Sequence, residues 1–186
     1  MGKIVKPLPV KLIIGLIAKD PVFFQEAKTI LQKKLAKVDN ASPVFLFNQT
    51  DYYEKEMGQS LKRIFLSFQR LIPAEQLVRV KLGTNALEKR LSLRTGQRLI
   101  NIDPGYITLS KLVLATTKSF VHRLYIAQGI HEEITLYFKG NTFVAGPWTY
   151  PDYQTPSHIV FFNEVRNIYY QQIEKQYGPA QIYRSV

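Results

Sequence analysis

Four short polar clusters interrupt the apolar pattern of the chain near predicted strand ends, where binding and catalytic side chains are commonly built. The first is TDYYEKEMG at residues 50–58. Its carboxylates Asp51 and Glu56 are candidate ligands for Mg²⁺ or Mn²⁺, because such ions take oxygen ligands and Mg²⁺ commonly binds one or two carboxylates. The alternative is structural, with Asp51 capping a helical turn and Glu56 in solvent.

The second cluster is KLGTNALE at residues 81–88. Lys81 close to the amide of Asn85 suits a phosphate group or a ribose hydroxyl. Asn85 also has a structural explanation, because Asn85 and Glu88 have the spacing of a capping box and would open a short basic helix. Both interpretations stand at this point.

The third cluster is INIDPGY at residues 100–106. Alternation along a strand places Asn101 and Asp103 on one face. Such a pair can act catalytically by orienting a water, and Asp103 can join Asp51 and Glu56 as a metal ligand. The alternative is an Asx-type turn, with the bend made by Pro104 and Gly105.

The fourth cluster combines hydroxyl and basic side chains in TTK at residues 116–118 and HR at residues 122–123. Its composition suits an oxyanion or phosphate pocket in which Thr117, Lys118 and Arg123 bind the phosphate. His122 is the candidate catalytic general base. The alternative is a structural histidine beside threonines that only favour a strand.

An aromatic loop, WTYPDY, follows at residues 148–153. Tyr150 is a candidate for stacking on a base, a contact worth ~1–3 kcal/mol. Trp148 is interpreted instead as a ring packed over the core. The sequence contains no GxxxxGK[ST], GxGxxG, HExxH or EF-hand loop, and a GTPase of the P-loop type is therefore excluded.

The 186 residues include 25 Lys and Arg, 14 Asp and Glu and no Cys, for a formal net charge of +11. The lack of Cys excludes disulfides, thiolate nucleophiles and Cys-ligated metals. Residues 61–98 hold nine basic against two acidic residues, which predicts a surface for a polyanion such as RNA or else a solvated basic face. Without a membrane-length apolar run or a signal-peptide cleavage site, we expect a cytoplasmic protein with no membrane contact.

Periodicity predicts one α+β domain over residues 1–186, opening with strand–helix–strand. The first strand covers residues 10–18. The helix begins at Asp20-Pro21 and ends near Val38, and a turn at residues 39–43 leads to the second strand at 44–47.

The middle of the chain is ambiguous, since residues 61–71 and 75–82 each fit a strand or a helix. Beyond it we expect a turn at residues 103–105 between two strands, an antiparallel meander to residue 144 and a C-terminal helix from Thr155-Pro156. The element order fits a ferredoxin-like βαββαβ unit extended by that meander.

The strings TDYYEKEMG, KLGTNALE, INIDPGY, KLVLATTK, HRLYIAQGI and PWTYPDY occur in this order over nearly the whole chain. Together they resemble an uncharacterised prokaryotic family, domain of unknown function 4416, some members of which are labelled GTP-binding proteins. The resemblance implies no activity. It does imply that polar residues of these strings form a joint site, namely Asp51, Glu56, Lys81, Asn85, Asn101, Asp103, Lys118, His122 and Arg123.

Three functions follow as hypotheses. The leading one is binding of a phosphate-bearing ligand, a nucleotide or RNA, with metal-assisted phosphoryl chemistry in one cleft. The second is a non-enzymatic RNA- or ribonucleoprotein-binding module that uses Arg63, Arg70 and Arg79. The third is a protein–protein adaptor, which predicts an exposed apolar patch around Trp148 and Tyr150.

Overall fold

A nearly continuous apolar run forms the central strand of the fold, as predicted. In the computed structural model, which describes residues 4, 6–93 and 96–179, strand β1 (Lys11–Ala18) is buried along its whole length. Aliphatic side chains on both faces are typical of a strand that is covered on both sides. Antiparallel strands pair with both of its edges.

Eight further strands of the described residues join β1 in one sheet. They are β2 (Val38–Ala41), β3 (Phe45–Leu46), β4 (Lys62–Phe68), β5 (Ile100–Ile107), β6 (Lys111–Thr116), β7 (Leu124–Ala127), β8 (Ile130–Lys139) and β9 (Thr142–Ala145). The helices are α1 (Val22–Lys34), α2 (Glu54–Met57), α3 (Leu77–Arg90) and α4 (Pro156–Tyr177).

The strands lie in the order β2-β4-β1-β5-β6-β8-β7, with β3 beside β4 and β9 beside β8. Each pair is antiparallel. Within this order, β1, α1, β2, β4, α3 and β5 form the expected ferredoxin-like βαββαβ unit. The meander β6–β9 extends the sheet beyond β5, so the α+β fold class is confirmed.

Helices cover both faces of the sheet. Alternate residues of β1, such as Leu12 and Ile14, belong to a core cluster shared with α1 and α3. Ile13 lies on the opposite face in a cluster with Phe161 and Phe162 of α4. No helix within the described ranges is long and apolar enough to cross a membrane.

Helix α1 begins where the sequence predicts but ends earlier. The Asp20 carboxylate accepts the N–H of Val22 at 2.9 Å, which caps the first turn. The helix ends at Lys34, and Val38 begins β2 instead of ending the helix. The predicted turn at residues 39–43 is largely strand as well, because the Asp39 side chain is held by Lys11 on β1 and by Ser67 on β4.

Helix α3 resolves the ambiguity at residues 75–82 in favour of a helix. Its buried positions include Leu77, Lys81, Thr84 and Glu88, which is helical spacing. The predicted capping box is wrong, because Asn85 and Glu88 lie inside the helix and do not open it. In contrast, residues 61–71 contain strand β4.

The predicted turn at residues 103–105 is also wrong, because β5 runs straight through it. Pro104 pairs with Ile14 of β1. The N–H of Ile102, two residues earlier, points away from β1 toward α3, and alternation turns the nitrogen of Pro104 the same way. Proline is tolerated there because no ladder bond to β1 needs its missing N–H.

Gly83 lies in the interior of α3, where a glycine weakens a helix. A Cβ at this position would have no heavy atom within 4 Å among its surroundings. We therefore expect Gly83→Ala to raise the free energy of unfolding by roughly 0.5–1 kcal/mol, because alanine reduces the backbone entropy of the unfolded chain. Urea unfolding of the two proteins measures the difference, and an equal or lower stability of the variant would contradict this explanation.

Candidate functional site

The sheet opens at one point, and many of the predicted site residues collect there. β5 pairs with β6 only at Gly105–Ile107, so the outer edge of β5 at residues 100–104 has no strand beside it. Helix α3 covers this edge instead. Glu88 accepts the N–H of Ile102 at 2.5 Å, and Lys81 Nζ donates to the carbonyl oxygen of Ile102 at 3.4 Å.

A connected group of polar side chains, which we call the inner cluster, surrounds this edge. It comprises Glu56, Lys81, Glu88, Arg98, Asn101 and Asp103.

Asp103 binds two neighbours in the inner cluster. Lys81 Nζ lies 3.1 Å from Oδ1, and Asn101 Nδ2 donates to Oδ2 at 2.5 Å. Burial acts to raise the pKa of Asp103, but the charges of Lys81 and Arg63, together with the hydrogen bonds from Lys81 and Asn101, outweigh it and hold that pKa below its usual range. The result is an ionised carboxylate whose side chain is still 27% exposed.

Arg98 ties the inner cluster to the loop that carries α2. Its Nε and Nη2 each donate to Glu56 at 2.6 Å, a bidentate pair, while Nη1 donates to Asn101 Oδ1 at 3.0 Å. Nη1 also lies 3.5 Å from Glu88. Burial raises the pKa of Glu88, and the hydrogen bond from the Ile102 N–H and the charges of Lys81 and Arg98 only partly offset it. Arg98 therefore connects Glu56 and Glu88, which are distant from each other in sequence, with Asn101, which lies three residues after it.

A second group, which we call the outer cluster, comprises His122, Arg123, Glu133 and Tyr150. Glu133 of β8 is buried and lies 2.5 Å from His122 Nε2 and 3.0 Å from Arg123 Nε. The Arg123 guanidinium also donates to the Tyr150 hydroxyl at 2.7 Å. Glu133 thus holds the loop of residues 117–123 against β8.

The ring of His122 is held by a stacking contact on its face and by a carboxylate at one of its two nitrogens. It stacks on Trp148 with ring centroids 4.9 Å apart and an interplanar angle of 5°. Nε2 faces Glu133, and Nδ1 is buried without a hydrogen-bond partner in the described part of the chain. This geometry gives His122 a positioning contact, and its role as a general base stays a prediction.

A third group, which we call the mouth, combines the cation of Lys118 with the exposed aromatic rings of Tyr52, Phe120 and Trp148. Lys118 Nζ lies 4.3 Å from the centroid of the Tyr52 ring and contacts its hydroxyl. Tyr52, Phe120 and Trp148 are 59%, 55% and 53% exposed. Lys118 itself is exposed and forms no ion pair with another described residue.

The inner and outer clusters adjoin. Burial raises the pKa of Tyr53, and the charge of Asp103 raises it further. Burial likewise raises the pKa of Tyr150, with smaller contributions from Glu133 and Asp103.

The Tyr53 ring lies between Tyr52 of the mouth, with centroids 4.9 Å apart, and Arg98 of the inner cluster, whose guanidinium carbon is 5.8 Å from the ring centroid. Since Trp148 of the mouth in turn stacks on His122 of the outer cluster, we treat the two clusters and the mouth together as the strand-end site.

Three of the predicted site residues lie outside the two clusters and the mouth. Asn85 is half-buried on α3, between Lys81 and Glu88 on the same face. Thr117 is exposed on the loop that carries Lys118. Asp51 is exposed, and its side chain bonds no other residue in the described ranges. The other predicted residues belong to the two clusters or to the mouth.

Sequence reasoning missed Arg98 and undervalued Glu133. In the sequence, Arg98 counted only as one of the charges of a basic segment. Its four hydrogen bonds are formed only in the folded protein. Glu133 carried no distinguishing local signal, because it directly follows His131 and Glu132 in a polar stretch of β8.

The predicted basic surface at residues 61–98 is smaller than its charge count suggests. Arg63 is only 3% exposed and lies inside the protein, paired with Asp152. Lys81 and Arg98 face carboxylates of the inner cluster, and Arg94 lies outside the described residues. Arg70 and Arg79 are exposed, as predicted.

The candidate metal ligands are only partly assembled. Glu56 and Asp103 are linked through Arg98 and Asn101, while Asp51 stands apart. No three His, Asp or Glu side chains among the described residues are grouped closely enough to hold a metal ion. The Mg²⁺ or Mn²⁺ site stays a prediction.

Comparison with known proteins adds a family but no activity. No curated protein and no solved structure matches the chain. Residues 8–169 match the family model of the Domain of unknown function (DUF4416), and the chain belongs to that family.

Proposed function

We propose that the strand-end site binds a phosphate-bearing small molecule with an aromatic body, of which a nucleotide is the common example. The observation that carries this proposal is the mouth, where exposed Lys118 contacts the exposed ring of Tyr52, and the exposed rings of Phe120 and Trp148 pack on each other with centroids 6.1 Å apart. An ammonium group binds a phosphate as a point charge. A base stacks on an aromatic side chain with a gain of ~1–3 kcal/mol.

The inner cluster would supply the reacting end of this site. Mg²⁺ commonly keeps several waters and is bound by one or two carboxylates together with substrate phosphates. The partly exposed, ionised Asp103 suits that use, and Lys81 and Asn101 orient its two oxygens. We propose metal-assisted phosphoryl chemistry here, in which Asp103 would help to hold Mg²⁺ or Mn²⁺ and the ion would neutralise charge on the ligand phosphates.

Replacement of Lys118 tests the binding step. Trp148 is the single tryptophan of the chain, so its emission reports directly on the mouth. We expect ATP or GTP to change this emission, and Lys118→Ala to weaken the binding about tenfold, which corresponds to ~1.4 kcal/mol. Lys89→Ala, on the exposed face of α3, is the matched control and should bind like the wild type.

Two results would contradict the proposal. Emission that does not respond to any nucleotide, with or without MgCl₂, would remove its basis. If Lys118→Ala and Lys89→Ala weakened nucleotide binding equally, Lys118 would act only through the net charge of the protein and not through a contact with the phosphate.

A second candidate function, a protein–protein adaptor, is favoured by a different observation. Large apolar side chains are exposed on the edge strand β7, on the loop before it, on β8 and at Trp148, namely Phe120, Val121, Leu124, Tyr125, Ile126, Ile134, Tyr137 and Trp148. Exposed apolar patches commonly mark interaction sites. Salt separates the two functions, because phosphate binding by Lys118 weakens as ionic strength rises and apolar docking does not.

A further inference from the structure

A groove runs between α1 and α3, along a face of α3 other than the one that carries Lys81 and Glu88 of the inner cluster. Its volume is about 600 Å³, and it shares no lining residue with the strand-end site. The floor is aliphatic and comes from both helices and from the segment before α3. It consists of Leu31, Leu35, Leu71, Ile72, Pro73, Val80 and Leu87.

The rim of this α1–α3 groove is basic. Lys34, Arg70 and Arg79 line it and are exposed, and no acidic residue lines it. None of the three cations forms an ion pair with another described residue. The groove therefore presents uncompensated positive charge around an apolar floor, and its charge complement is an acidic partner.

The backbone of α3 keeps the groove open at Gly83. This residue lines the groove, and a Cβ built on it meets no heavy atom within 4 Å. Most other helix residues would place a side chain into that space. A partner can consequently approach the backbone of α3 closely at this position.

We propose that the α1–α3 groove docks an acidic amphipathic helix of a partner protein. Aliphatic side chains at helical spacing on one face would pack on the floor, and the flanking Glu and Asp residues would meet Lys34, Arg70 and Arg79. RNA fits these observations less well. Binding of single-stranded RNA relies on aromatic side chains for base stacking, and no aromatic ring lines the groove.

Fluorescence anisotropy of the whole protein tests this docking. The probe is a labelled 16-residue peptide with Leu at i, i+3, i+4 and i+7 and Glu at most other positions. A scrambled peptide of the same composition and a labelled single-stranded RNA are measured alongside it. We expect the amphipathic peptide to bind at least tenfold more tightly than the scrambled one.

Two groove variants and one control locate the binding. Arg79→Glu and Gly83→Phe should each weaken peptide binding at least tenfold, the first by charge and the second by filling the groove. Arg90→Glu places the same charge change on α3 outside the groove and should leave the affinity within twofold of the wild type. Thermal unfolding checks that each variant is folded, and Arg79→Glu carries the test if Gly83→Phe is not.

Several outcomes would overturn the proposal. Equal affinity for the two peptides, or no binding of either, would show that the floor and its spacing are not recognised. If Arg79→Glu and Arg90→Glu weakened peptide binding equally, the effect would come from the net charge of the protein and not from the groove. RNA binding that is lost in Arg79→Glu, without peptide binding, would assign the groove to RNA.

Discussion

Replacing Arg63 by methionine is expected to lower the free energy of unfolding by about 3–5 kcal/mol, because it leaves a buried carboxylate without its ion partner. Arg63 Nη1 lies 2.9 Å from Asp152 Oδ2, and both side chains are no more than 5% exposed. Nη2 donates to the Tyr153 hydroxyl at 2.8 Å, and the guanidinium carbon is 4.7 Å from the centroid of the Phe65 ring. Gly15 provides room for this group, because a Cβ there would lie 2.8 Å from Arg63 Nη2.

Urea unfolding measures this loss, and two further variants define its cause. Arg90→Met removes an exposed arginine and should change stability by less than about 0.5 kcal/mol. The double variant Arg63→Met/Asp152→Leu should recover much of the loss, since replacing both partners of a buried pair by apolar residues is often nearly neutral. A cost below 1 kcal/mol for Arg63→Met, or a double variant as unstable as the sum of the single ones, would refute this explanation.

Gly105→Ala is expected to cost roughly 3 kcal/mol or more, because overpacking at a close backbone approach forces strands apart. A Cβ on Gly105 would overlap the carbonyl oxygen of Val113 and would lie 2.7 Å from Leu114 Cδ2. Gly105 pairs directly with Leu114, and this pair begins the short contact between β5 and β6. The variant must therefore weaken the junction of the βαββαβ unit with the meander.

Gly83→Ala is the matched control for this prediction, because it makes the same chemical change at a glycine with open space around it. Urea unfolding should show destabilisation for Gly105→Ala and stabilisation for Gly83→Ala. Equal effects of the two substitutions would indicate that alanine at Gly105 is accommodated without separating β5 from β6.

Elements with a strong local signal were predicted from the sequence. The apolar run of β1, the Asp20-Pro21 start of α1 and the Thr155-Pro156 start of α4 are confirmed. In each case the apolar pattern and the adjacent start signal favour the same structure. The order of these elements fitted a ferredoxin-like unit with an extension, although the middle of the chain stayed ambiguous between strand and helix.

Besides the end of α1 and the turn at residues 39–43, two further predictions are wrong because tertiary contacts outweigh the local signals. Pro104 and Gly105 usually indicate a turn, yet they continue β5. Pro104 needs no ladder partner there, and Gly105 is required by the close approach of Val113. Asn85 and Glu88 have the spacing of a capping box, yet Glu88 accepts the N–H of Ile102 on the edge of β5. This edge exists only once the sheet has formed.

In the strand-end site, too, contacts between residues close in sequence could be predicted, and contacts that depend on the tertiary structure could not. Asn101 and Asp103 could be paired from strand alternation alone, and their hydrogen bond is present. Lys81 could be named as a polar residue of interest but not as the partner of Asp103, because it comes from a helix that was ambiguous in sequence. The contacts of Arg98 with Glu56 join segments 42 residues apart, for which a single sequence carries no signal.

Thermal unfolding in the presence of nucleotides tests the central claim most directly. A ligand at a hundred times its dissociation constant adds ~2.7 kcal/mol of stability, which raises the unfolding midpoint on the order of 5–10 °C for a chain of this size. We predict such a rise with ATP or GTP in MgCl₂ or MnCl₂, reduced in Lys118→Ala and retained in Lys89→Ala. An unchanged midpoint with every nucleotide and both metals would contradict nucleotide binding at the strand-end site.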